Sequence, residues 1–222
     1  MNRLEFEGLI AGAAFSPEPS PEAGSPGETV VAGVWRSSPF GSFIDVMWVR
    51  GDGERVLLAP SPPVGEFLTS VYEFDRAEVV AVRGGWDGET VRVEAGPICL
   101  WLRAGRRDWR SWLFALRPRP LLRLPHWIAL EDRIARPLVG RLLGGAPGVR
   151  AAGRAPGGQR EWYGIRDYRP LVEGHLLFES RDAGRLVDLP AGLGIGLSAF
   201  PLAPAVVHVL TTIEVTAPGQ GH

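Results

Sequence analysis

The chain has 222 residues, 45% hydrophobic and 22% charged, with a formal net charge of −1, which is enough to bury a core and ordinary for a globular protein. All 24 basic residues are Arg, which excludes Schiff-base chemistry, a covalent pyridoxal phosphate anchor and a Walker-type lysine, although GC-rich coding explains the bias without a functional cause. The single Cys99 cannot form an intrachain disulfide and, in an apolar run, reads as a small core residue.

Punctuation by 29 Gly and 20 Pro favours short strands joined by turns. Residues 3–10 alternate polar Arg3, Glu5 and Glu7 with apolar Leu4 and Phe6, the pattern of a strand with one wet face. An acidic start before a short apolar run is not expected to be a signal peptide. No stretch reaches the roughly 18 apolar residues of a spanning helix, so a cytoplasmic protein is expected. Residues 16–28, rich in Pro, Ser, Glu and Gly, read as a loop.

Strands follow at 29–36 and 42–50, and the turn GDG at 51–53 leads into a third at 54–60 as a hairpin. In SPPVGEFLTSVY, Val64, Phe67, Leu68 and Val71 recur at helical spacing, with Ser61 as candidate N-cap and Pro62 in the first turn. Strand patterns return at 77–83, 90–95 and 98–104. Short turns between successive strands imply antiparallel pairing.

The texture changes over 109–143. Trp109, Trp112, Leu113 and Leu116 have helical spacing, and a second stripe (Trp127, Leu130, Ile134, Leu138, Leu142) marks a helix over 125–143 that Pro137 must kink. Residues 144–160 read as another loop. Strands at 170–180, 193–200 and 204–216 then complete the sheet begun by the first half. In the last, Val207, Val209, Ile213 and Val215 share one face and His208, Thr212 and Glu214 the other.

Several motifs fail on context. GLGIG (192–196) is followed by Pro201 and Pro204 instead of the helix a dinucleotide fingerprint requires. Ser198 lacks the surroundings of a nucleophile elbow. His126, His175, His208 and Cys99 lack metal-ligand spacing, so neither a metal nor a cofactor is expected. Residues 103–160 carry 13 Arg against Asp108, Glu131 and Asp132, a balance of +10, and the rest of the chain carries −11. Arg among Trp on helical pieces suits an anionic membrane surface, through Trp109, Arg110, Trp112, Arg117, Arg119 and Arg123. Docking onto the protein's own acidic sheet is the alternative. No nucleic-acid module is recognisable, so nucleic acid is not an expected partner.

Hydrogen-bonding and titratable groups are densest in EWYGIRDYRPLVEGH (161–175). Period-two spacing projects Glu173 and His175 together from one strand face, where a carboxylate can orient an imidazole for acid–base work. Upstream, a loop or bulge around Gly164 delivers Tyr163, Arg166, Asp167, Tyr168 and Arg169 to a sheet rim. Asp45 shares a face with Phe43, Met47 and Val49. Either that face is wet, or Asp45 points into a lined cavity as a base or an Arg partner.

The stretches RSSPFGSFIDVMW, VLLAP, YEFD, LEDRIARPLVG and WYG resemble an uncharacterised family of proteins of about this length in high-GC bacteria. The resemblance spans most of the chain and implies no activity and no site residue.

These readings converge on one mainly β domain, an antiparallel calycin-like (lipocalin-like) barrel or barrel-like sandwich with one short and one kinked helix. The expected function is a binding module that holds a small apolar or amphipathic ligand, a lipid or polyketide-like metabolite, in the barrel cavity. Trp48 and Trp101 would supply wall, and Tyr163, Arg166, Tyr168 and Arg169 the rim. A cofactor-independent acid–base enzyme using Asp45, Asp167, Glu173 and His175 is the alternative, and a peripheral membrane or protein-interaction module through 103–143 a third reading.

Overall fold

A computed structural model describes residues 2–17, 27–118, 120, 121, 124, 126–128, 152–190, 192–196 and 202–215. Its strands are β1 (Asn2–Ser16), β2 (Glu28–Ser37), β3 (Phe43–Val49), β4 (Arg55–Ala59), β5 (Arg76–Val79), β6 (Val82–Trp86), β7 (Thr90–Ala95), β8 (Ile98–Ala104), β9 (Ala152–Arg154), β10 (Arg160–Phe178), β11 (Arg181–Asp182), β12 (Arg185–Val187) and β13 (Ala205–Val215). The helices are α1 (Pro62–Val71) and α2 (Trp109–Ala115).

The strands form one sheet in the order β5-β4-β3-β2-β1-β13-β10-β8-β7-β6, with β9 and β11 on β10 and β12 on β1. The path has two free ends, so the mainly β expectation holds, but of the expected barrel or barrel-like sandwich the barrel does not close. Closure would require β5 to meet β6. Instead α1 carries the chain across so that β5 runs parallel to β4, which corrects the expectation of antiparallel pairing throughout. Residues 77–83 do not run as one strand. Val80 still donates to the Ala59 carbonyl, then the chain leaves β4 and pairs β6 with β7.

The N- and C-terminal strands meet as the alternation requires, β1 against β13 from Asn2–Val215 to Gly12–Ala205. Each face of this central region carries its own core. One gathers Phe6, Ile10, Met47, Leu57, Val207 and Ile213 under α1, whose Val64, Leu68 and Val71 are buried. The other packs Ala11, Phe15, Val46, Trp48 and Leu58 against Val93, Leu100 and Leu102 of β7 and β8. Each large aliphatic side chain so enclosed contributes about 1.5–3 kcal/mol of transfer free energy.

Strand β10 joins the two layers. Its first part pairs with β13 and its second, from Leu171, with β8. Of the loop or bulge expected over 162–170 the bulge is what forms: the segment is strand, with register shifts at Ile165/Asp167 and Leu171/Glu173. A bulge turns a strand without ending it.

Other expectations need adjustment. Ser61 has extended N-cap geometry but its hydroxyl makes no cap hydrogen bond, and α1 starts on its proline. Part of the 144–160 loop is β9. No strand forms over 192–196, and 197–200 lie outside the described residues, as do 18–26, 144–151 and the kinked helix beyond residue 128. Among the described residues no helix is long and apolar enough to cross a membrane.

Candidate functional site

A cleft of about 830 Å³ opens where β1, β2, β10 and β13 meet the end of β6, within the size range of small-molecule sites. Its polar and aromatic lining comes from Glu7, Trp35, Arg36, Trp86, Arg166 and His208, with Leu9, Val34 and Val209 supplying apolar surface. Two irregularities shape it. A bulge at Glu7/Gly8 in β1 and the bulge at Ile165/Asp167 in β10 place Glu7 and Arg166 at the cleft. There Arg166 Nη1 donates to Glu7 Oε1 at 2.5 Å, while the buried Arg166 Nε has no hydrogen-bond partner. Arg36, exposed, makes no ion pair among the described residues.

His208 stands across from Asp167 on neighbouring strands, its ring edge-on to Trp86 at 5.7 Å. Asp167 is buried and accepts from Arg107 at 2.8 and 3.0 Å. Burial holds the His208 imidazole below its ordinary pKa, with Arg107, Arg169 and Arg36 pushing the same way and Asp167 opposing. The cleft thus offers guanidinium donors and an imidazole that favours its neutral form. Arg169 braces one side, donating to the carbonyls of Gly105 and Gly88 and lying over Trp86 at 5.5 Å.

A second cavity of about 30 Å³ lies inside the α1-covered core, and Trp35 lines both. Asp45, only 2% exposed, points into it. Of the two placements left open for this residue the interior one holds, without an Arg partner among the described residues. Its Oδ1 accepts from Trp35 Nε1 at 2.7 Å, and burial raises its carboxyl to about 7 against the lowering effect of that bond. Nearby, Tyr72 and Tyr163 share a hydroxyl hydrogen bond at 3.1 Å, and Tyr163 donates to Glu161 at 3.0 Å. Burial raises the Glu161 pKa, and raises both tyrosines well above their ordinary value.

The remaining sequence candidates scatter. Glu173 and His175 do project together, 3.5 Å apart, but on an exposed outer face beside Arg103 and Trp101, and neither lines either cavity. Trp48 is core, its Nε1 donating to Glu28 at 2.6 Å. Tyr168 is buried, and its carbonyl accepts from the Ser111 hydroxyl. Cys99 is exposed, because alternation in β8 sends Ile98 and Leu100 inward and Cys99 out. Trp109 and Trp112 of α2 are exposed, whereas Arg117 turns back to the carbonyl of Ile165. The Arg110 side chain, Arg119 and Arg123 lie outside the described residues.

Sequence reasoning missed Glu7, Trp35, Arg36, Trp86 and Arg107. Arg166, with Asp167 and Arg169 beside it, was among the sequence candidates, and His208 was legible as the imidazole on the polar face of a strongly alternating strand. Among the described residues no three His, Cys, Asp or Glu side chains group to hold a metal ion.

No family model matches the sequence, and no curated protein matches it. Among solved structures, acetoacetate decarboxylase from Legionella pneumophila subsp. pneumophila str. Philadelphia 1 is similar at TM-score 0.43 and 11% identity, over 96% of this chain and 84% of that one. A second acetoacetate decarboxylase structure is similar at TM-score 0.40 and 9% identity, over 96% and 86% of the respective chains. At such scores and identities neither site residues nor chemistry pass from those proteins to this one.

Proposed function

We propose that the protein binds a small amphipathic anion in the outer cleft. The anionic head lies against Arg36 and Arg166, and the apolar part against Leu9, Val34, Trp86 and Val209. The observation that carries this reading is that two guanidinium side chains, Arg36 and Arg166, line one cleft together with apolar surface. A carboxylate or phosphate oxygen makes charge-assisted hydrogen bonds to such donors. A purely apolar ligand would leave them unengaged. The small inner cavity has too little room for a lipid or polyketide-like molecule.

The test compares decanoate with decanol by intrinsic tryptophan fluorescence, alongside native mass spectrometry for a co-purifying molecule. Decanoate should bind at least about tenfold more tightly, and Arg36→Gln or Arg166→Gln should erase most of that advantage. Equal binding of the two amphiphiles, or none, sinks the proposal.

A second reading concerns α2, which exposes Trp109 by 55%, Trp112 by 62% and, just beyond it, Leu116 by 81%. Such a surface suits the interface of an anionic membrane. Co-sedimentation with vesicles containing anionic lipid at low salt tests it, and no gain over neutral vesicles removes it.

A further inference from the structure

We propose that the inner cavity is a binding site for a small primary ammonium ion, of the size of ammonium or methylammonium. Its ligands are the carboxyl of Asp45 and the hydroxyl of Thr211, with Phe6, Trp35 and Phe67 as aromatic wall. The site is independent of the outer cleft, and either can exist without the other.

Charge supplies the first argument. Asp45 and Glu161 are both buried in this core, 2% and 1% exposed, and no Arg or His pairs with either among the described residues. Buried carboxyls without a cationic partner either take up a proton or recruit a cation. Hydrogen-bonding capacity supplies the second. Thr211, 2% exposed, lines the cavity and its Oγ1 has no partner. It can accept from an ammonium N–H, as can the carboxylate oxygen of Asp45 that Trp35 does not engage.

Shape and surface supply the third. The space of about 30 Å³ exceeds the roughly 10–15 Å³ that a water requires. It fits a guest of one or two heavy atoms but no branched cation. Phe6, Trp35 and Phe67 line it, with Phe6 against Trp35 at 5.7 Å and stacked on Phe67 at 5.4 Å. Aromatic faces attract a desolvated cation. Among the described residues no three His, Cys, Asp or Glu side chains group there to hold a metal ion.

Binding exchanges the Asp45 proton for the ammonium ion, so the proton leaves to solvent and a buried ion pair takes its place. The test uses the full-length protein at pH 7, with ¹³C-carboxyl NMR following Asp45 and urea unfolding following stability. Methylammonium chloride should ionise Asp45 and raise the urea midpoint beyond the effect of equimolar sodium chloride. Tetramethylammonium should behave like sodium. Asp45→Asn should abolish the response, Thr211→Val should weaken methylammonium binding about fivefold, and Arg36→Gln in the cleft should leave it unchanged. The inference is overturned if sodium or tetramethylammonium matches methylammonium, or if Asp45 stays protonated at saturating methylammonium, which marks the cavity as a water site. The NMR readout decides the matter even if Asp45→Asn does not fold.

Discussion

Trp35 Nε1 and Asp45 Oδ1 meet at 2.7 Å across Gly33, which lies opposite Asp45 in the β2–β3 register. A Cβ on Gly33 would stand 2.5 Å from that carboxylate oxygen and 2.6 Å from the indole nitrogen. The missing side chain at residue 33 is what lets a buried acid and its donor touch. Trp35 also lines the outer cleft, so one indole borders both spaces.

Gly33→Ala should therefore break the Trp35–Asp45 bond and leave a buried acid without its donor. The expected cost is about 1–3 kcal/mol, read as a lowered urea midpoint at unchanged slope. A variant as stable as wild type would show that the two side chains have room to part.

Stability should fall as pH rises through the acid-to-neutral range because of Asp45. Its carboxyl titrates at about 7 in the folded chain against an ordinary 3.8. Between those values the folded chain holds a proton that the unfolded chain has released, so each step up in pH favours unfolding. The contribution is fully present below about pH 4 and lost by about pH 7. Its total is on the order of 4 kcal/mol. Subtracting the Asp45→Asn profile isolates it from acids that work the opposite way, such as Asp75, whose carboxyl Arg55 holds down at about 2. A flat difference curve between pH 4 and 7 would contradict the assignment.

Arg107→Gln should raise the pKa of His208, because Arg107 disfavours the imidazolium. The stability change should be small, about 1 kcal/mol or less, since Arg107 is largely exposed where it meets Asp167. Histidine ring resonances followed by NMR across pH 5–8 read the shift directly. A downward shift would mean that Asp167, freed from its partner, has turned away from His208.

Ligand binding in the cleft should weaken as salt rises, because exposed Arg36 acts through solvent. Most of that salt dependence should vanish in Arg36→Gln, while Arg166, largely shielded from solvent and anchored to Glu7, should retain its contribution. Decanoate titrations at low and high sodium chloride separate the two.

Much of the sheet was legible in the chain itself. Alternation located β1 to β4, β7, β8 and β13, and helical spacing with Pro62 located α1, because each pattern depends only on neighbours a few positions away. The same alternation paired Glu173 with His175 correctly, yet could not say that their shared face was the outer one. Where a register shifts, local reading fails. Around Ile165–Asp167 the broken period left loop and bulge as alternatives, and the bulge that forms places Arg166 at the cleft.

The sequence alone ruled out lysine chemistry, through composition, and marked the alternating strands, through residue order. Tertiary structure alone decided that β5 runs parallel to β4 and never meets β6, leaving the sheet open. It likewise brought Glu7 to Arg166 across 159 positions and set Asp45 in the interior beside Trp35. Contacts between distant segments depend on how whole strands stack and where bulges shift them, and no window of local sequence contains that information.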